Sequence, residues 1–322
     1  MPELIGIAKM ASESELLEAK SEVRYFEIAT RSVLNRTTPN MPFRWTINPY
    51  RGCEFGCKYC YARYTHEFMG MEDGREFESR IYAKAATAEI LRRELRTTPR
   101  RDGIAIGTAT DPYQPAERRF GRTRALLEVF ATEKGRRVSI TTKSDLVARD
   151  VDLLREVARR NVLSINITVT TLNRRLARLM EPRAPRPDLR LAAVRTLSGA
   201  GISVGVYPTP ILPMITDTEE HLDAIARAAH QAGAQYFGGG LLFLMPSAKK
   251  VFFPFIQERF PKLALRYQKL YASGAYLGGE YKALLRERVV RVRERHSLGS
   301  GPVEYWPELW EGEEQGTLFP LH

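Results

Sequence analysis

Cysteine is scarce in this 322-residue chain, three in total and an odd number. So few exclude a secreted scaffold held by disulfides, and reducing conditions suit the chain. No run of about 18 apolar residues occurs, so no transmembrane helix is expected. The opening residues lack the basic-then-apolar order of a signal peptide, and a cytoplasmic location is the expectation. Lysine is also rare, 11 of the 49 basic residues, which leaves 38 arginines. With 38 acidic residues the formal net charge is 49 − 38 = +11. Hydrophobic residues, at 43%, suffice for a core, which excludes disorder as the main state. The length allows two ordinary domains or one large α/β unit.

Seventeen of the arginines fall in four clusters. These are Arg92, Arg93, Arg96, Arg100 and Arg101; Arg118, Arg119, Arg122 and Arg124; Arg174, Arg175 and Arg178; and Arg286, Arg288, Arg291, Arg293 and Arg295. Arginine grips phosphate bidentately, so the clusters are compatible with a nucleic-acid footprint. They are equally compatible with solvated helix faces, because carboxylates such as Glu287 recur among them. The sign reverses at the end of the chain, with Glu304, Glu308, Glu311, Glu313 and Glu314.

Apolar, β-rich runs alternate with longer helical patterns. Strands are predicted at 44–48, 104–108, 138–142, 163–169, 202–207 and 236–244. Helices are predicted near 86–96, 122–134, 150–159, 173–180, 188–200 and 218–233, with Gly135, Gly201 and Gly233 as stops. This alternation predicts βα units on a parallel sheet. Six units fall short of an eightfold barrel, so the expected fold is α/β, a partial (β/α)6 barrel with a C-terminal helical extension. Residues 1–42 read as a peripheral segment with a short helical pattern at 12–19. The barrel would span 43–247, a helical cap 248–296, and a loose acidic tail 297–322.

All three cysteines lie together as Cys53-x3-Cys57-x2-Cys60, directly after the first predicted strand. They therefore occupy the first βα loop, at the carboxyl end of the sheet where ligands bind. Three thiolates leave a tetrahedral metal set one short; zinc would need a fourth ligand, for which His66 is the nearby candidate. An iron–sulfur cluster held by three cysteines instead keeps one iron open for chemistry. Other polar residues fall on the same rim. Thr110, Asp111 and Glu117 follow the second strand, although Asp111 also suits a turn cap. Lys143 ends the third strand, and Ser164, Asn166, Thr168 and Thr170 alternate along the fourth so as to point one way. Gly238, Gly239 and Gly240 lack the Lys-Ser/Thr of a phosphate loop, so close packing is expected there.

The cysteine spacing, with Tyr59 before the last thiol, resembles the signature of the radical S-adenosylmethionine (SAM) enzymes. The likeness runs from about 43 to 244. Asn48-Pro-Tyr-Arg-Gly-Cys53, Cys60-Tyr-Ala62, the stretches 107–117 and 141–144, Glu181-Pro-Arg-Ala-Pro185, 201–205 and 210–213 further resemble the spore photoproduct lyase-like, DNA repair photolyase-related branch. The resemblance implies a partial (β/α)6 barrel and a 4Fe-4S cluster on Cys53, Cys57 and Cys60. It implies an open iron that chelates SAM. One electron then cleaves the sulfonium, and a 5′-deoxyadenosyl radical abstracts hydrogen from substrate. On this likeness Lys143 would pair with the carboxylate of SAM; by their place on the rim Thr110 and Asp111 would receive the methionyl ammonium, and Arg183 would contact the carboxylate or the substrate. Asn166 and Thr168 would face the ribose, and Tyr59 and Gly205 the adenine. A flavodoxin- or ferredoxin-type protein would supply the electron, and nucleic acid is the substrate class the branch suggests. Spore photoproduct lyase uses a further cysteine as hydrogen donor. Here every cysteine is taken by the cluster motif, so Tyr113 or Tyr207 would have to substitute. The competing reading is a non-catalytic iron–sulfur protein that binds nucleic acid or senses redox state.

Overall fold

The computed structural model describes residues 4–20 and 22–308. Its strands are β1 (Glu15–Lys20), β2 (Val23–Ile28), β3 (Leu34–Arg36), β4 (Trp45–Ile47), β5 (Tyr50–Arg51), β6 (Arg80–Lys84), β7 (Gly103–Ile106), β8 (Arg137–Thr142), β9 (Val162–Thr168), β10 (Ser203–Tyr207) and β11 (Tyr236–Phe237). The larger sheet has the order β11-β10-β9-β8-β7-β4-β3. Strands β4 and β7 to β11 are parallel, and β3 borders β4 antiparallel. The helices Thr87–Leu95, Arg122–Thr132, Val151–Arg160, Pro187–Gly199, Glu219–Gln231 and Gly279–Arg295 follow the six parallel strands in turn. The end strands β11 and β3 do not pair, so the sheet is an open, partial (β/α)6 barrel.

Alternation along the strands explains both layers. Val138 and Ile140 on β8, Leu163, Ile165 and Ile167 on β9, and Val204 and Val206 on β10 are buried with Leu126, Leu154, Leu191 and Ile225 of the outer helices. Each such side chain contributes about 1.5–3 kcal/mol. The intervening residues Thr141, Asn166, Thr168 and Tyr207 line a cavity on the inner side. The polar row of the fourth predicted strand thus faces a ligand-sized space.

Several elements differ from expectation. A second sheet, of order β1-β2-β6-β5, packs beside the cysteine loop, and the segment expected to be peripheral supplies its β1 and β2 as well as β3 of the larger sheet. The helical pattern expected at 12–19 is instead a helix at Gly6–Ser12 followed by β1. Every residue of β1 is exposed, so no hydrophobic period marks it, and pairing with β2 makes it a strand. The sixth strand, expected over 236–244, forms only at Tyr236–Phe237. A Cβ on Gly238 would lie 3.0 Å from Tyr207, and one on Gly239 2.8 Å from Ile211, so these glycines mark close packing. Of the expected helical cap, Pro246–Arg259 and Pro261–Leu270 do cover the cysteine loop, because Phe252, Phe255 and Tyr267 share a core with Phe55, Cys57 and Tyr59. The helix Gly279–Arg295 instead lies along Glu219–Gln231, joined by Arg291–Glu219 and Arg295–Asp223 ion pairs. The tail expected to be loose docks as far as it is described. The Tyr305 hydroxyl accepts from the Leu163 amide at 2.8 Å and donates to the Asn161 carbonyl at 2.8 Å. Glu304 and Glu308 pair with Arg137 and Arg159; Glu311, Glu313 and Glu314 lie outside the described residues. No helix among the described residues is long and apolar enough to cross a membrane.

Gly205 on β10 sits under the ring of Tyr236, where an added Cβ would lie 2.0 Å from a ring carbon. That ring is fixed by hydrogen bonds from its hydroxyl to the Ile165 carbonyl and to Asn166 Oδ1, each 3.0 Å. Gly205→Ala is therefore expected to cost about 1–3 kcal/mol through overpacking. A urea midpoint equal to wild type at unchanged slope would show that the ring yields freely.

Candidate active site

The cysteine loop has little regular structure and is held by its neighbours. Gly52 has φ +79°, and a Cβ there would come within 2.8 Å of the carbonyl oxygens of Phe77 and Arg80. Gly56 has φ +64°, and a Cβ there would meet Glu78 Oε2 at 2.7 Å. Only glycine serves at both places. The Cys53 amide donates to the Phe77 carbonyl at 2.9 Å, and the Lys58 amide to the Met180 carbonyl at 2.9 Å. Gln114 accepts from the Glu54 amide and donates to the Gly52 carbonyl, each at 3.0 Å. Buried Arg63 donates to the Cys57 carbonyl at 2.9 Å and to Glu78 Oε2 at 3.0 Å.

So held, the three thiols line one pocket of about 110 Å³ at the carboxyl ends of β7 and β8. Burial pushes all three thiols up, Cys57 to about 12. Three such thiols form thiolates only against a strong local positive charge, which a bound metal supplies. Among the described residues no three His, Cys, Asp or Glu side chains converge on a single ion. His66 does not complete a zinc set: its Nε2 is 3.0 Å from the Arg80 carbonyl, and burial pushes its imidazole down to about 4. Thiols spread along a pocket wall suit an iron–sulfur cluster, which distributes its ligands over several irons.

A larger cavity of about 520 Å³ adjoins the first and shares Cys57, Cys60, Tyr61, Lys143 and Thr168 with it. Its size is that of a small-molecule site. Tyr59, Asn166 and Tyr207 also line it. Lys143 places its ammonium 5.8 Å from the Tyr59 ring centroid. Asn166 donates to Thr141 Oγ1 at 3.2 Å. Thr110 and Asp111 line the smaller pocket, but their polar atoms are already engaged. Thr110 Oγ1 donates to the Gly52 carbonyl at 2.6 Å. Asp111 accepts from Thr142 Oγ1 at 2.6 Å and from the amides of Lys143 at 2.7 Å and Tyr113 at 2.9 Å. Burial raises the Asp111 carboxyl, and these hydrogen bonds oppose the rise.

Four residues lie away from both cavities. Arg183 reaches the back of the cysteine loop, donating to the carbonyls of Glu54 and Glu78 at 3.3 Å. Gly205 serves the Tyr236 ring. Glu117 is buried beneath Arg122–Thr132, accepting from the amides of Thr123 and Arg124. Tyr113 sits in the main core, so of the two candidate hydrogen donors only Tyr207 reaches the cavity.

Sequence reasoning missed a buried polar network behind Tyr59. Glu181 and Arg190, both almost fully buried, form an ion pair at 2.5 Å. Glu181 also accepts from the Tyr59 hydroxyl and from Thr170 Oγ1. Arg190 further donates to the carbonyls of Pro185 at 2.8 Å and Thr168 at 3.0 Å. The pair thereby ties the cysteine loop to β9. Burial alone would raise the Glu181 carboxyl, but Arg190, Lys143 and Tyr59 outweigh it and hold the group below its ordinary range. Arg190 had no local signal, being one arginine among many on an ordinary helical pattern.

A model of the radical SAM superfamily matches residues 47–229, more than half of the chain. The chain belongs to the radical SAM superfamily. It is a radical SAM enzyme, and that superfamily works with a 4Fe-4S cluster and SAM. An uncharacterized protein of Mycobacterium tuberculosis is 36% identical over 283 residues, covering 86% of this chain and 82% of that one. An uncharacterized protein of Methanocaldococcus jannaschii is 27% identical over 243 residues, covering 75% and 86%. A structure of spore photoproduct lyase with dinucleoside spore photoproduct aligns at TM-score 0.65 and 18% identity, covering 84% of this chain and 79% of that one. At that identity the likeness shows the shared fold.

Removing one partner of a buried pair strands the other charge, so Arg190→Met is expected to cost about 3–5 kcal/mol in urea unfolding. The double variant Glu181→Leu, Arg190→Met should recover most of that loss; a double variant as weak as the single one refutes the account. The Glu181 carboxyl is depressed in the fold. The pair's stabilisation is therefore complete above the ordinary glutamate value of about 4.3 and lost as pH falls through the folded value. The gap between wild type and Arg190→Met should narrow in acid.

Proposed function

We propose that Cys53, Cys57 and Cys60 hold a 4Fe-4S cluster, that the adjoining cavity takes SAM, and that the chain abstracts hydrogen from a nucleobase-bearing substrate. One observation carries the first two parts: the pocket walled by the three thiols opens into a 520 Å³ cavity that also holds Lys143. Bound there by Cys53, Cys57 and Cys60, such a cluster would supply the electron for reductive cleavage of the sulfonium.

The chain's own residues bind and orient. The Lys143 ammonium has no hydrogen-bond or ion-pair partner among the described residues, so it is free to meet the carboxylate of SAM. Asp111 positions Lys143 by accepting from its backbone amide, and Thr110 positions the cysteine loop through Gly52. Asn166 and Thr168 present an amide and a hydroxyl to the ribose, and Tyr59 an aromatic wall to the adenine. Tyr207 is the candidate hydrogen donor, being the tyrosine of the two that lines the cavity. A flavodoxin- or ferredoxin-type partner supplies the electron.

The substrate class rests on aromatic geometry. The Tyr61 and Phe243 rings, both lining the cavity, lie 4.7 Å apart, and Tyr276 stacks on Phe243 at 5.3 Å and 15°. Tyr276 is 70% exposed, so the stack runs from cavity to solvent. Unpaired bases stack on such rings. Spore photoproduct lyase, which shares the fold, is solved with a dinucleoside ligand. The arginine clusters support nucleic acid less than their number suggests. Arg119, Arg122, Arg124, Arg174, Arg291 and Arg295 all pair with carboxylates of this chain. The cluster at Arg92–Arg101 differs, with no carboxylate partner among the described residues. The non-catalytic reading leaves the larger cavity and Lys143 without a role.

Anaerobic reconstitution with iron and sulfide, then dithionite and SAM, is expected to yield 5′-deoxyadenosine. Cys57→Ala should abolish it. Lys143→Met should keep the cluster absorbance while raising the SAM dissociation constant about tenfold, the worth of one charge-assisted hydrogen bond. Full cluster absorbance without 5′-deoxyadenosine would sink the catalytic reading.

A further inference from the structure

The four-stranded sheet carries a second set of cations that the radical chemistry does not use. Arg51 on β5 is registered with Tyr82 on β6, and Lys84, two residues further along β6, is registered with Ile28 on β2. Arg51, Tyr82, Lys84 and Ile28 therefore share one face of the sheet. Phe26, Ile28 and Tyr82 on that face pack with the helix Gly6–Ser12 through Ile7, Met10 and Ala11. Beneath the helix is a cavity of about 160 Å³ lined by Arg51 and Lys84, with Arg31 and Ser32 at its side. Arg31 is exposed, so the cavity has a route to solvent.

Lys84 is only 7% exposed. Neither Lys84 nor Arg51 has a hydrogen-bond or ion-pair partner among the described residues, and Lys84 sits within the field of Arg51. The carboxylate that Lys84 does feel, Glu94, is engaged by the amides of Val33 and Leu34 at 3.0 and 2.9 Å. Burial and then Arg51 push the Lys84 ammonium down to about 7. A buried lysine and a half-buried arginine, both unpaired and facing a cavity, keep both charges at low cost only when an anion joins them. A carboxylate brings one negative charge. A phosphate group brings up to two and several acceptor oxygens, which matches a guanidinium fork beside an ammonium.

We propose that this cavity is a binding site for a phosphate group, held between Arg51 and Lys84 and lying outside the SAM cavity. The group is inorganic phosphate or the phosphate of a nucleotide; both present the same oxygens to the same two cations. Arg51 is two residues before Cys53, so the occupied site would anchor the strand that leads into the cysteine loop.

The test is calorimetric titration of the full-length reconstituted protein with inorganic phosphate, a nucleoside monophosphate and a short oligonucleotide, at constant ionic strength. Saturable binding is expected in at least one arm, and the arm that saturates at the lowest concentration identifies the source. Lys84→Met keeps length and removes the buried charge; it should weaken binding by about tenfold or more. In wild type, acetic anhydride labelling of Lys84, mapped by mass spectrometry, should fall when the ligand saturates, a readout that needs no variant to fold. No saturable binding in any arm, unchanged affinity in folded Lys84→Met, or labelling unaffected by ligand each overturns the proposal.

Discussion

The candidate site depends on holding three thiols, Cys57 buried and Cys53 and Cys60 half-buried, in a loop that cannot hold itself. The loop runs through Gly52 and Gly56 at positive φ and forms almost no structure of its own. Its shape is imposed by carbonyls and side chains from elsewhere: Phe77 before β6 and Arg80 at its start, Gln114 after β7, Arg63 with Glu78, and Met180 from the segment after β9. Burial makes all three thiols resist ionisation, so the loop carries a latent need for positive charge. The cluster proposed for these cysteines would answer that need.

The second sheet and the Glu181–Arg190 pair are two sides of the same brace. The Glu54 carboxylate accepts from Tyr25 of β2 at 2.8 Å, while Glu181 accepts from Tyr59. Each ties a residue of the cysteine loop to a different wall. Asp111 does comparable work at the next rim position, joining the loop after β7 to the end of β8 and leaving Lys143 to point into the cavity. Carboxylates that look catalytic by position thus act mainly as joints. The phosphate pocket sits on the far side of the same sheet, where the charge of Arg51 and Lys84 is left uncompensated.

How much was legible follows the range of the interactions. The parallel strands and their outer helices were visible because Ile165, Ile167, Val204 and Val206 recur at the strand period, and that pattern is local. The polar row on β9 was visible for the same reason. Strand β1 was not, since an edge strand exposed at every residue leaves no period. The sixth strand was overread because Leu241, Leu242 and Leu244 continue the apolar run past Gly238, where ladder pairing ends. Arg183 and Gly205 looked like ligand contacts by motif. In space Arg183 reaches the Glu54 and Glu78 carbonyls and Gly205 lies under the Tyr236 ring, neighbours that no motif shows.

Spacing along the chain determined the chemistry. Three cysteines within eight residues, after a strand and between glycines, already imply a metal cluster at the carboxyl end of a parallel sheet, because ligand spacing is a covalent property. The pairing of charges was decided by the folded chain. Thirty-eight arginines read alike in one dimension. Only their positions in three dimensions separate Arg190, neutralised inside the core, from Arg295, paired at the surface, and from Arg51, left facing a cavity with Lys84. Electrostatic energy depends on distance and burial, and neither is set by order along the chain.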